Sequence, residues 1–175
     1  GGAKHQSRQE IGLMAVSDNI TSQGEWVLDT GASRHITGDQ EQLATLTPLK
    51  ETVPITFGNN SKGCGTAMGD VLLLDDATSN RQVWLRDVLF VPEAATNLLS
   101  MSTARKAGVR FIIDDGGCKA YHGKELLFTA KERDGLYIIG STAGDKTTGA
   151  QPAALFTQPK ETAQEWHKRY AHLGY

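Results

Sequence analysis

The stretch Trp26-Val27-Leu28-Asp29-Thr30-Gly31-Ala32-Ser33 runs an apolar strand straight into an aspartate, a small hydroxyl residue, a glycine and an alanine. Trp26, Val27 and Leu28 predict a buried strand whose end sets the Asp29 carboxylate in an apolar channel, where desolvation raises a carboxyl pKa. Gly31 lets the backbone turn sharply beside that carboxylate and offers it an N–H. Thr30 can hydrogen-bond across to a neighbouring backbone. Such a turn orients a carboxylate. Taken alone, Asp-Thr-Gly is equally what a plain strand ending in a turn carries.

Outward from this stretch the pattern is mostly β. Candidate strands are Ile11–Val16, Glu25–Asp29, Thr52–Phe57, Ala67–Leu74, Arg81–Val91, Val109–Ile113, Lys119–His122, Glu125–Phe128 and Leu136–Ile139. The segments between them carry turn chemistry, among them Gly58-Asn59-Asn60, Asp115-Gly116-Gly117, His122-Gly123 and Asp134-Gly135. One helix is predicted, capped by Asn97, with Leu98, Met101 and Ala104 on one face, Lys106 in its last turn and Gly108 as its stop. A weaker pattern suggests a short helix over Gln40–Leu46. Residues 1–10 read as a flexible polar tail, 11–139 as the folded domain, 140–163 as a linker rich in Gly, Ala, Thr, Ser and Pro, and 164–175 as the start of another helix.

Composition narrows the function classes. Lys and Arg number 18 against 20 Asp and Glu, so no global positive field draws the chain to nucleic acid. The longest apolar runs, Val71–Leu74 and Val88–Val91, are too short to span a bilayer. Two cysteines, Cys64 and Cys118, make neither a disulfide framework nor a four-ligand zinc site by themselves, and a reduced intracellular setting is the simplest expectation. His35 reads as a loop residue hydrogen-bonding its neighbours, and Asp39, Asp75 and Asp76 as solvated turn carboxylates.

The motif extends through Ala32-Ser33-Arg34-His35-Ile36-Thr37, and D-[ST]-G-A-S-x-H-[IM]-T resembles the aspartic proteases of copia-type retrotransposons. Further segments are similar to that family in the same order: Phe57-Gly58-Asn59-Asn60-Ser61 with Gly69-Asp70-Val71, Leu85 to Pro92, Asn97-Leu98-Leu99-Ser100, Gly135-Leu136-Tyr137, and Trp166 to Leu173. Ser100 stands where retroviral proteases usually carry glycine, and there the copia type resembles this chain.

The resemblance implies a mainly β, retropepsin-like closed barrel with one short helix, active as a homodimer, with no metal and no cofactor. One Asp-Thr-Gly per chain excludes the two-lobed arrangement, so each subunit would supply one catalytic Asp29, supported by Thr30, Gly31 and Ala32. Ser33 and Arg34 would meet substrate together with a flap whose tip is placed at Gly63-Cys64-Gly65-Thr66. The implied substrate is an extended segment of a Gag-Pol polyprotein, cut in cytoplasmic virus-like particles, with no membrane or nucleic-acid partner. His167 and His172 resemble half of a His₂Cys₂ zinc site opening the pre-integrase segment; its cysteines would lie further along, so no metal is assigned. Two other readings stay open: a catalytically silent binding or assembly module on the same fold, and a zinc-dependent nucleic-acid-binding segment.

Overall fold

The computed structural model describes residues 10–12, 21, 24–75 and 81–140. The chain divides into two units, Gly1–Asp145 and Lys146–Tyr175, and every described residue belongs to the first. The proposed linker beyond Gly140, the 164–175 segment with its histidine pair, residues 1–9 of the tail and residues 13–16 of the first strand lie outside the described residues.

The described part is mainly β with one short helix. Its elements are β1 (Glu10–Gly12), β2 (Trp26–Asp29), β3 (Ile36–Thr37), a 3₁₀ turn (Gln40–Gln42), β4 (Thr47–Phe57), β5 (Lys62–Asp75) and β6 (Arg81–Phe90). β7 (Asn97–Ser100), α1 (Met101–Lys106), β8 (Val109–Asp114), β9 (Gly117–His122), β10 (Glu125–Arg133) and β11 (Leu136–Ile139) follow. All eleven strands join one sheet in the order β1-β4-β5-β6-β3-β7-β2-β11-β10-β9-β8. That order is open, ending at β1 and β8, and no ladder joins those two ends among the described residues. The strand ladders thus show one open sheet and not, by themselves, the expected closed barrel; within it Trp26 and Leu28 of β2 pack in one cluster with Val71 and Leu73 of β5.

Alternation along β2 explains its unbroken apolar run. Trp26 and Leu28 point into a cluster with Val71, Leu73, Leu85, Leu99 and Phe128, while Val27 points the other way, into a second cluster with Ala32, Ile36, Leu89 and Leu98. A strand covered on both faces needs apolar residues at every position. The indole of Trp26, fully buried, donates to Gln42 Oε1 at 2.9 Å, which satisfies its one polar atom. The strands beyond Ile113 complete this core. β11 pairs antiparallel with β2 (Ile138 opposite Val27, Ile139 opposite Trp26), and Cys118, Ala120, Phe128 and Ala130 of β9 and β10 join the larger cluster.

Two local expectations are corrected. Asn97 does not cap the helix: Asn97 to Ser100 form β7, wedged between β2 (parallel) and β3. The cap is Ser100, whose hydroxyl accepts from Thr103 N, and Asn97 instead ties β7 to its neighbours through Glu25 O and Thr37 Oγ1. The Gln40–Leu46 helix shrinks to the single 3₁₀ turn, capped by Asp39.

A third correction concerns the β4–β5 hairpin. Its tip is Gly58-Asn59-Asn60-Ser61, closed by Phe57 N to Ser61 O and Asn60 N to Phe57 O, with Asn60 at φ 63°. Gly63, Cys64, Gly65 and Thr66 lie inside β5, opposite Ile55, Pro54 and Val53 of β4. Gly63 and Gly65 face inward, and their missing side chains are a packing requirement. A Cβ on Gly65 would sit 2.5 Å from the buried Leu89 side chain. Gly65→Ala should therefore cost about 1–3 kcal/mol in a denaturant titration, because the fully buried Leu89 must shift within the core to admit the methyl group. An unchanged midpoint would mean that β5 stands off from β6 at this point.

Candidate active site

Asp29 is the last residue of β2 and lies opposite Ser100, the last residue of β7, in the parallel register. β11 pairs with β2 only at Trp26 and Val27, so Asp29 sits past the end of that ladder. The turn that follows folds back on the carboxylate. Gly31 N donates to Asp29 Oδ1 at 2.7 Å, and the Ala32 N–H also favours the ionised form. Burial outweighs both and pushes the carboxyl pKa up, as the apolar run before it predicts. Asp29 is 8% exposed, and its second oxygen, Oδ2, is buried with no hydrogen-bond partner among the described residues.

The turn is held from the other side by the β7–α1 junction. Ser100 Oγ donates to Ala32 O at 2.7 Å and caps α1 by accepting from Thr103 N at 3.1 Å. Thr103 Oγ1 donates to Ser33 O at 3.0 Å. Ser100 N donates to Nδ1 of His35 at 3.1 Å, and His35 O accepts from Leu89 N of β6. His35 is thus the hydrogen-bonding loop residue that was expected, although it is fully packed. Its imidazole is neutral, with its pKa pushed down to about 4 by burial.

Thr30 and Ser33 are exposed around the turn, and Arg34 is half-buried, its guanidinium 4.0 Å from Met68 Sδ on β5. Asp29, Gly31 and Ala32 therefore share one site with His35, Ser100 and Thr103. Gly63 to Thr66 do not belong to that turn: β6, β3 and β7 lie between β5 and β2 in the sheet. Cys64 is exposed, whereas the Cys118 thiol is raised by burial and then by the Asp114 charge, which suits an unreactive core residue. No group of three or more His, Cys, Asp or Glu side chains converges on a possible metal position among the described residues. A polar cleft lined by Glu25, Asp39, Gln42 and Asn97 lies at the start of β2 and β7, at the opposite end from Asp29.

Sequence reasoning missed Ser100, Thr103 and His35 as supports of the turn. The signal for Ser100 was present: a serine before Met-Ser-Thr-Ala-Arg-Lys, with basic residues in the last turn, is a helix start. The link from Ser100 to Ala32, 68 residues apart, has no local signature.

Burial of Asp29 has a stability consequence. The unfolded carboxyl ionises near 3.8, while the folded one keeps its proton to higher pH. In that window the folded state binds more protons, so stability falls as pH rises through it and stays lower above it. A neutral amide costs less to bury than a charge. Asp29→Asn should accordingly melt at a higher temperature than the wild type at pH 7, and the advantage should vanish below about pH 3. A variant melting lower than the wild type at pH 7 would contradict this.

Residues 26–109, from β2 to the first residue of β8, match the family described as Pol polyprotein, beta-barrel domain. The chain is 28% identical over 156 residues to the Retrovirus-related Pol polyprotein from transposon RE1 of Arabidopsis thaliana, and 28% over 152 residues to that from transposon RE2 of the same plant. This chain is related to retrotransposon Pol polyproteins. The alignments cover 86% and 84% of it but 10% of each relative, so the chain spans about a tenth of the length of the curated relatives it matches. No solved structure matches it. The Pol-related region contains the Asp29 turn, His35 and the β7–α1 junction that braces them.

Proposed function

We propose that this chain is a retropepsin-type aspartic endopeptidase that cuts extended segments of a retrotransposon Gag-Pol polyprotein, working as a homodimer in which each copy supplies Asp29. The observation that carries this reading is the Asp29 carboxylate: one oxygen is fixed by Gly31 N, and the other is buried with no partner among the described residues. A buried polar atom without a partner is costly, and a second carboxyl sharing a proton would satisfy it. The sequence carries a single Asp-Thr-Gly, and a second copy of this chain would supply that second carboxyl. Closed twofold pairing is the commonest way to bring identical residues together.

In the dimer the two carboxyls lie about 3 Å apart and share one proton, because like charges that close cannot both ionise. The ionised Asp29 takes a proton from a water held between them, and the protonated one donates to the peptide carbonyl. A tetrahedral gem-diol forms and collapses as a proton passes to the leaving nitrogen. The exposed Thr30 of each turn bonds the opposite turn and keeps the carboxyls in register. Ser33 and Arg34 border the substrate, and the β4–β5 hairpin, with its tip at Gly58 to Ser61, closes over the extended peptide as a flap. The relationship to Pol polyproteins supports a polyprotein substrate, and maturation within cytoplasmic virus-like particles follows from that reading. Cleavage of an extended-peptide library by the wild type beside Asp29→Asn tests it; a wild type that cuts no peptide at any pH between about 4 and 7 would overturn it.

A further inference from the structure

We propose that His35 is a positioning residue for Asp29: its ring accepts the Ser100 N–H and so fixes the Ser100 hydroxyl that holds the Ala32 carbonyl and, through it, the turn delivering N–H groups to the carboxylate. The proposal rests on the endopeptidase reading for its kinetic consequence, but its geometry stands apart from it.

The chain of contacts is short, and it is buried at His35 and Ser100 and part-buried at Gly31. His35 is 5% exposed and Ser100 is fully buried. Ser100 N donates to His35 Nδ1, Ser100 Oγ donates to Ala32 O, and Gly31 N donates to Asp29 Oδ1. Because Nδ1 accepts, the ring proton belongs on Nε2. Ser100 is also the strand partner of Asp29, so the residue that His35 fixes is tied to the Asp29 segment twice, through the ladder and through the Ala32 carbonyl of the turn. Leu89 N anchors His35 itself to β6. A ring that gains a proton at Nδ1 turns from acceptor to donor and faces an N–H, so the contact with Ser100 is lost.

The charged residues of the turn and of the elements around His35 are Asp29, Arg34, Arg81, Arg86, Asp87, Arg105 and Lys106. Burial alone accounts for its low pKa of about 4. The contact therefore holds across the neutral and mildly acid range and fails on further acidification. Asparagine places an acceptor oxygen near the Nδ1 position and cannot take up a proton there, whereas leucine fills the space with no acceptor.

Two readouts test this on the full chain, comparing wild type, His35→Asn and His35→Leu. In peptide hydrolysis, His35→Leu should lose about 10- to 100-fold in kcat with KM nearly unchanged, since a displaced catalytic group costs rate more than binding. His35→Asn should recover most of that loss and keep its activity further into acid than the wild type. In amide exchange, Ser100 and Gly31 should be protected in wild type and His35→Asn at pH 6, about tenfold less protected in His35→Leu, and exposed below pH 4 in the wild type alone. Exchange needs no peptidase activity, so an inactive wild type with this protection pattern would sink the endopeptidase reading and leave the positioning role standing. Should His35→Leu fail to fold, the comparison of wild type with His35→Asn below pH 4 still decides. Equal acid loss of protection and activity in those two proteins, or full kcat in a folded His35→Leu, overturns the proposal.

Discussion

Replacing Asp29 by asparagine should abolish peptide hydrolysis, lowering kcat by about 10²–10⁴-fold, while the protein folds as before. An amide cannot accept the proton of the attacking water, and a dimer of the variant has no proton to share. The geometry around the position survives the change. Asparagine keeps an oxygen where Oδ1 accepts from Gly31 N, and the turn remains pinned by Ser100 and Thr103. Combined with the higher melting temperature expected at pH 7, this separates catalysis from structure at one residue: activity should be lost as stability rises, the trade expected where a charge is buried for a task. Loss of activity accompanied by loss of folding would instead place Asp29 among the structural residues. Substantial residual turnover in a folded variant would dismiss the endopeptidase reading.

Specific activity should fall as the protein is diluted. If each site needs two copies of Asp29, the active fraction follows the dimer population, and well below the dissociation constant each tenfold dilution removes about tenfold of the specific activity. The fold of one chain does not require this, since both clusters of its core are built from its own strands. The exposed edges offer the means of pairing. β8 ends the sheet with Ile112 and Ile113 exposed, and β1 ends it at the other side, pairing only with β4 among the described residues. Removing residues 1–17, which include β1, should shift the dilution curve to higher concentration. A monomer in sedimentation whose specific activity stays constant over a hundredfold dilution would end the shared-site mechanism.

Much of this architecture is written locally. The run Trp26-Val27-Leu28 before Asp29 states both a strand and a buried carboxylate, and β6 and β11 lie where apolar runs are bounded by turn residues. Other features depend on contacts that no local pattern encodes. Leu98 and Leu99 suit a helix face as well as a strand, and packing between β2 and β3 decides for the strand. Ile36-Thr37 is too short to register as a strand until β6 and β7 flank it. Glycine has two uses, and a sequence does not separate them. Gly63 and Gly65 serve close packing against Phe57, Val91 and Leu89, while the hairpin turns at Asn60, a residue that tolerates a positive φ. The support given to the Asp29 turn by Ser100 and His35 likewise appears only when β7 comes to lie beside β2.

The central claim is that two copies of Asp29 make one site, and mixing tests it most directly. Wild type and Asp29→Asn are combined in varying proportion at a fixed total concentration high enough to saturate pairing, and left to exchange subunits before peptide hydrolysis is measured. Only dimers with two aspartates turn over, so activity should follow the square of the wild-type fraction and fall to about a quarter in an equal mixture. Activity proportional to the wild-type fraction, about half in the equal mixture, would mean that each chain works alone.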